Sequence, residues 1–376
     1  MRIVILGGGF GGLNAALLLG KALQSTPHEI VLLSDAPCFL FRPSLIWVPF
    51  NKRQIKEISF PLNEILQKVR VQFMQKRVVS ILPKEKQILC ENGTRLIYDY
   101  LIIATGAVPA WEQIEGLKGN TASVYNAHAA LQTKRRVGEI KVGQPILIGV
   151  AQQNPSQGMA YEFLFELHAF LHERNVQCPI TFFTYEKELF NHKGKKVTLI
   201  LEKHMKEKQI SHYSDVSITK VEPGCLQLSN GVSLPYSFSL ILPPYKGAEF
   251  IFASPDLDHE NGLLVTNKGL QSTQWENIYV VGDANAMKEY KSGRAAEVQG
   301  KIAARNILNR IQGHSRQQEY HPDMLYVMEL GTDGGMFVIR YPGSREGTPY
   351  FEWAVDGYLP HLMKLAFEKY YSWKLS

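Results

Sequence analysis

The chain has 376 residues, 45% of them apolar and 20% charged, and its 41 Lys and Arg against 35 Asp and Glu give a net charge of +6. That length fits about two domains, and the composition is that of an ordinary globular protein, which excludes a disordered tail, a collagen or a disulfide-stapled miniprotein. The basic excess is too mild and diffuse for a nucleic-acid stripe, and no run of about 18 apolar residues is present to span a membrane.

In chain order, Arg2-Ile-Val-Ile-Leu6 is a short apolar run suited to a buried parallel strand. Gly7 interrupts it, so a strand is expected here and not a signal peptide. Gly7-Gly-Gly-Phe-Gly-Gly12 follows, then a helical segment at 13–20 and a second strand at 29–33 that ends in Ser34-Asp35. Together these form a strand–helix–strand unit of about 30 residues. Residues 39–75 read as an insertion with a helix near 62–69. Segment 71–89 reads as strands with a turn at 83–86, and Glu91-Asn-Gly-Thr94 as a hairpin turn. Another buried strand, 98–104, closes at Thr105-Gly106.

A second α/β unit is expected from about residue 111, with strands at 144–149 and 179–184 and a helix at 160–174. A strand and turn at 226–231 lead on to Leu240-Ile-Leu242 and Pro243-Pro244. Then come a strand at 278–282, a helix at 293–311, a strand pair within 326–340 and a terminal helix at 359–375. No solenoid repeat is present.

Gly7-x-Gly9-x-x-Gly12 lies between a strand and a helix. The first glycine permits the tight turn, the second the approach of a pyrophosphate and the third close helix–strand packing. The helix N-terminus adds free N–H groups and positive dipole. These features predict a bound dinucleotide, with Ser34 or Asp35 at the position of a ribose-binding group. The corresponding loop of the second unit, Gly149-Val-Ala-Gln-Gln-Asn-Pro-Ser-Gln-Gly158, keeps only its end glycines. That spacing argues against a second pyrophosphate, and so against NAD(P)H.

The four cysteines, Cys38, Cys90, Cys178 and Cys225, lie 52, 88 and 47 residues apart, with no C-x-x-C and no metal-ligand spacing. They are expected to be reduced thiols, and no metal site is expected. Cys38 alone follows the second strand, near a bound dinucleotide.

Two further segments, Ile102-Ile-Ala-Thr-Gly106 and Asn277-Ile-Tyr-Val-Val-Gly-Asp283-Ala284, complete a pattern with the glycine loop. The chain resembles the pyridine nucleotide–disulfide oxidoreductase superfamily, in which the A-T-G turn lies beside FAD and the G-D aspartate binds its ribityl or pyrophosphate part. Within it, Phe41-Arg-Pro-Ser44, Gly158-Met-Ala-Tyr-Glu-Phe163, Lys291-Ser-Gly-Arg-Ala-Ala-Glu297 and the ending Met363-Lys-Leu-Ala-Phe-Glu-Lys-Tyr-Tyr-Ser-Trp-Lys374 resemble segments of the sulfide:quinone oxidoreductases. The family's cysteines are missing. Ser156 stands where one would precede the G-x-A-Y-E-F run, and neither Ser123-Val-Tyr125-Asn-Ala-His128 nor Leu325-Tyr-Val-Met-Glu329 carries another. Serine and tyrosine cannot form the persulfide that a thiolate forms.

The resemblance implies an α/β fold of two Rossmann-like three-layer domains of the FAD/NAD(P)-binding flavoprotein type, plus a small C-terminal membrane-associating module. The expected bounds are 1–110 with 240–320, 111–239, and 321–376. FAD is the expected cofactor, held by Gly7, Gly9, Gly12, Ser34, Asp35, Thr105, Gly106, Gly282 and Asp283. Lys291 is placed to stabilise the anionic reduced flavin and Glu162 to exchange protons. Glu297, His128 and His168 are weaker candidates, and Tyr125 and Tyr161 fill space left by the cysteines. At helical spacing Leu359, Leu362, Met363, Ala366, Phe367 and Tyr370 share a face, with Tyr371 and Trp373 suited to a headgroup-level anchor. The implied function is electron transfer from a small reductant to a membrane quinone at the cytoplasmic surface of a membrane, without the usual cysteine pair. A type II NADH:quinone oxidoreductase and a non-catalytic FAD-binding redox sensor are the alternatives.

Overall fold

The structure is a computed structural model that describes residues 1–190, 194–288, 291–342 and 349–376. Its first sheet is parallel and five-stranded, in the order Ile278–Val280, Tyr100–Ile103, Arg2–Leu6, Glu29–Ser34, Gln72–Gln75. The first strand pairs with two neighbours, Ile3 to Leu6 lying against Ile30 to Leu33 and against Tyr100 to Ile103. Alternate side chains serve opposite faces. Ile3 and Ile5 pack with Leu13, Ala16 and Leu19 of helix Phe10–Leu23 and with Ala303 and Ile307 of helix Gly293–Ile311. Val4 and Leu6 pack on Ile81, Ile88 and Leu96 of the antiparallel meander Val78–Leu82, Gln87–Cys90, Arg95–Ile97. Helices, parallel sheet and meander are the three layers expected. The two helices touch backbone to backbone, because a Cβ on Gly300 would lie 2.2 Å from the Gly11 carbonyl oxygen.

The second domain repeats the plan. Its parallel sheet runs Ser211–Tyr213, Ile180–Thr184, Ile146–Val150, Phe238–Leu242. Helix Gly158–Glu173 covers one face, and the meander Ile218–Glu222, Cys225–Leu228, Ser233–Pro235 covers the other. This sheet keeps its last strand through Leu242, slightly beyond the bound expected at 239. Two connecting strands, Ala107–Pro109 and Tyr245–Gly247, pair antiparallel where the chain crosses between the domains.

The C-terminal module is a three-stranded antiparallel sheet, Met324–Glu329, Gly335–Pro342 and Pro349–Gly357, followed by helix Tyr358–Leu375. Its third strand extends the expected pair. Two helices not anticipated from the sequence, Ala127–Gly138 and Lys195–Glu207, complete the second domain. Among the described residues, no helix is long and apolar enough to cross a membrane.

Candidate active site

The glycine loop, the A-T-G turn and the G-D turn meet at the carboxyl ends of the first sheet's strands, where open α/β sheets bind ligands. The three loop glycines have different duties. Gly7 has φ +99°, and a Cβ there would lie 2.5 Å from the Ala104 carbonyl oxygen. A Cβ on Gly12 would lie 1.9 Å from the Gly7 oxygen. Both positions are closed by the protein itself. Gly9, the N-cap of helix Phe10–Leu23, has an ordinary φ of −79°, and none of the described residues comes within 4 Å of its Cβ position.

Thr105 is half-buried, and its hydroxyl oxygen is buried with no hydrogen-bond partner among the described residues. A buried polar group left this way needs a ligand or a water. Gly106 and Gly282 both have positive φ, +71° and +67°, as the two turns require. Asp283 faces the Arg42 guanidinium and Tyr245, and Arg42 lies 4.8 Å over the Tyr125 ring. Arg42 is solvent-exposed yet ringed by these groups, as expected for a cation on a cleft wall. Burial pushes the Tyr245 hydroxyl well above its usual range, which keeps it a neutral donor. An open glycine, an orphaned hydroxyl and an exposed cation together fit a phosphate-bearing dinucleotide.

The remaining predicted residues lie around this cradle. Ser34 is buried, and its hydroxyl accepts from the Ala36 N–H at 3.2 Å. Asp35 is exposed and faces Arg77 at 3.6 Å. Lys291 is buried, and its ammonium donates to the carbonyls of Asp283 (3.1 Å) and Asn285 (2.5 Å), which fastens the G-D turn. Ser292 caps the following helix by accepting from Ala295 N at 3.1 Å. Arg42 and Tyr245 were not selected from sequence. The only signals were the arginine within the Phe41-Arg-Pro-Ser44 motif and a tyrosine following Pro243-Pro244.

The two end glycines of the second loop are packed by the protein itself. A Cβ on Gly149 would strike the Phe183 ring at 2.1 Å, and one on Gly158 would strike the Tyr326 hydroxyl at 2.0 Å. Tyr161 is fully buried, donates to Glu186 at 3.0 Å and accepts from the Phe190 N–H at 3.0 Å. Glu186, just past strand Ile180–Thr184 where a ribose-binding acid would stand, is buried under Tyr161 and Thr184. Tyr161 thus fastens its helix to the segment that follows strand Ile180–Thr184.

Of the segments that carry cysteines in the resembling family, two come together. Tyr326 reaches Gly158, two residues from Ser156, and the Ser156 hydroxyl donates to the Lys291 carbonyl at 3.4 Å. Tyr125 donates to the Ala107 carbonyl. The four cysteines form no disulfide, and burial pushes the Cys90 and Cys178 thiols up, away from reactivity.

Glu162 is buried on helix Gly158–Glu173, where its carboxylate takes a hydrogen bond from Lys364 and another from the Glu329 N–H at 2.9 Å. Burial pushes its carboxyl up, against the pull of Lys364. The Lys364 ammonium also lies 4.7 Å over the Trp47 ring. Glu297 is engaged structurally, by Tyr371, Lys301 and Lys374, which hold it below its usual range despite its burial. His128 is exposed, and burial lowers the half-buried His168.

The terminal helix is inverted. His361, Lys364, Glu368, Tyr371 and Lys374 turn inward, bonding to Glu329, Glu162, Ser44 with Arg53, Glu297 and Asn14 respectively. Leu359, Leu362, Phe367, Tyr370 and Trp373 turn outward, with Trp373 78% exposed. Tyr371, expected as a surface anchor, is instead buried among Phe10, Phe39 and Phe41.

Residues 1–149 match the family model described as pyridine nucleotide-disulphide oxidoreductase. The chain is 28% identical to the sulfide-quinone reductase of Aquifex aeolicus, with 100% of this chain and 91% of that protein covered. It superposes on the crystal structure of the Aquifex aeolicus sulfide:quinone oxidoreductase with a TM-score of 0.93, at 27% identity and the same coverage. The chain is a homologue of that sulfide-quinone reductase over its whole length, and its first 149 residues match the pyridine nucleotide-disulphide oxidoreductase family model. The type II NADH:quinone oxidoreductase of Staphylococcus aureus is more distant, 22% identical over 90% of this chain and 89% of its own. These relatives imply a flavin cofactor, and the first-domain cradle is the candidate place for it.

Proposed function

We propose that the protein is an FAD-dependent oxidoreductase at a membrane surface, passing electrons from a small reductant to a quinone without the cysteine pair. The observation that carries this reading is the inverted terminal helix, which offers apolar side chains to a lipid phase while placing Lys364 on buried Glu162. FAD supplies the two-electron chemistry when bound. Gly9 would admit its pyrophosphate, the Thr105 hydroxyl and Asp283 would hold its polar chain, and Arg42 would balance its charge. Lys291 holds the G-D turn rigid and brings positive charge close to the cradle. The Glu162–Lys364 pair stores a proton in a dry environment, where such a pair is poised for transfer.

The donor-side test is anaerobic. The flavin is reduced photochemically and mixed with a water-soluble quinone, and separately the oxidised protein is mixed with NADH or sulfide. Rapid reoxidation by quinone and no bleaching by NADH are expected, because the second loop keeps only its end glycines, and these are packed against Phe183 and Tyr326. Bleaching by NADH would establish the type II NADH:quinone alternative. Inertness to quinone would leave the sensor alternative.

A second expectation concerns the membrane. The triple variant Leu359→Ser, Leu362→Ser, Trp373→Ser removes exposed apolar area and should weaken vesicle binding roughly tenfold or more. Its melting temperature should match the parent's, since those side chains pack on little. Co-sedimentation with anionic vesicles measures the first and circular dichroism the second. Unchanged sedimentation would remove the membrane from the proposal.

A further inference from the structure

Glu329 ends strand Met324–Glu329 with its side chain only 1% exposed. One of its carboxylate oxygens, Oε2, shares a hydrogen bond of 2.8 Å with His361 Nδ1. The other, Oε1, is buried with no partner among the described residues. A carboxylate kept only for structure would have both oxygens satisfied, because an unpaired buried acceptor is costly. Neighbouring Glu166 shows that alternative: fully buried, it takes bonds from Trp47 Nε1 at 3.3 Å and Lys52 Nζ at 2.7 Å.

Glu329 is also fastened to the Glu162–Lys364 pair. Its own N–H donates to Glu162 Oε1 at 2.9 Å, and its carboxylate lies in the field of the Lys364 charge. Toward solvent stands His361, whose side chain is 25% exposed and whose ring lies tilted against the outward-facing Tyr358 at 5.6 Å. The charged groups facing Glu329 are thus His361 and Lys364 from the terminal helix and Glu162 and Glu166 from helix Gly158–Glu173, with Lys52 beyond Glu166. Burial pushes the Glu329 carboxyl up, countered by Lys364 and His361.

We propose that His361 and Glu329 form the proton entrance that refills the Glu162–Lys364 pair from water. The inference rests on the quinone-reducing reading above. Reduction of a quinone to a quinol consumes two electrons, delivered by the reduced flavin, and two protons. For each proton, the His361 imidazolium gives its Nδ1 proton to Glu329. The neutral Glu329 carboxyl, whose Oε1 touches neither member of the Glu162–Lys364 pair directly, passes a proton to that pair through one bridging water, and the pair delivers it to the quinone oxygen. Water reprotonates His361. Only O–H and N–H bonds form and break in the relay. His361 and Glu329 act through Glu162 and Lys364, and touch no substrate.

The test uses the flavin-loaded protein, photochemically reduced and then mixed with excess water-soluble quinone. Glu329→Gln keeps the shape and His361 contact but cannot carry a proton, and it should slow reoxidation about a hundredfold, the scale of a positioned proton carrier. Its slowing should be insensitive to added imidazole. His361→Gly should slow reoxidation as well and regain much of the rate with added imidazole, increasingly as the pH is lowered toward imidazolium. A merely structural His361–Glu329 contact would lower the melting temperature without imidazole rescue, and that outcome overturns the relay, as does reoxidation of Glu329→Gln at the parent rate. Failure of the parent protein itself to be reoxidised separates the other case, in which the quinone reading falls and the relay with it.

Discussion

Replacing Gly9 by valine is expected to give a folded protein without flavin. The backbone at Gly9 has φ −79°, which any residue adopts, and no atom of the described residues lies within 4 Å of the new Cβ. Stability of the cofactor-free protein should therefore change by about 0.5 kcal/mol or less. The same open space is where a pyrophosphate must approach the loop, so the branched side chain excludes it. Gly12→Val should do the opposite. Its Cβ would sit 1.9 Å from the Gly7 carbonyl oxygen, and neither strand nor helix can withdraw without breaking the core. A loss of more than ~4 kcal/mol is expected there, the range reserved for such clashes. Flavin absorbance per polypeptide and thermal melting of the stripped protein separate the two variants. Full flavin content in Gly9→Val would show that the cofactor's phosphates lie elsewhere.

The second large effect is at Lys364. Lys364→Met keeps the volume but leaves Glu162 buried without its cation, and losing one partner of a buried pair costs about 3–5 kcal/mol. The double variant Glu162→Gln, Lys364→Met should recover much of that loss, because it removes the stranded charge as well. The penalty should also depend on pH. Burial already raises the Glu162 carboxyl above its unfolded value, and without Lys364 it rises further. A raised carboxyl contributes stability while it is protonated and loses it as the pH climbs through the folded value. Lys364→Met should therefore approach the parent's stability in acid and fall away toward neutral pH. Urea unfolding across pH checks this; a pH-independent difference would mean that Glu162 is not the group left stranded.

Much of the cofactor cradle was legible because it is local. A strand, a glycine at a forced φ and a helix start are written within a few residues at Gly7–Gly12, Thr105-Gly106 and Gly282-Asp283. Arg42 and Tyr245 were not legible as a pair, because only the crossing between domains brings them to Asp283. The same holds for Glu329 and His361, which lie on separate elements of the C-terminal module. Helix Ala127–Gly138 was missed since its Thr-Lys-Arg-Arg run carries a weak apolar pattern, and only Ala130, Thr133 and Val137 are buried. The terminal helix teaches a different limit. Its apolar stripe was correctly read from spacing, yet spacing does not say which side faces inward. Here Lys364, at 5% exposure, is inside and Leu362 is outside. Likewise Glu162, a position that reads as well for a solvated helix face, is buried because a lysine 202 residues later arrives to meet it.

The inward tethers of that helix end on the very parts that line the cradle. Lys374 holds Asn14 of the glycine-loop helix, Tyr371 holds Glu297 of the helix after Lys291, and Glu368 holds Ser44, two residues from Arg42. Whatever shifts the helix on contact with lipid strains or relaxes these three attachments together. Thermodynamic linkage then works in both directions: the factor by which flavin occupancy alters affinity for vesicles must equal the factor by which vesicles alter affinity for flavin. Sedimentation curves of the loaded and the stripped protein give that factor directly, and identical curves would mean that the tethers transmit nothing.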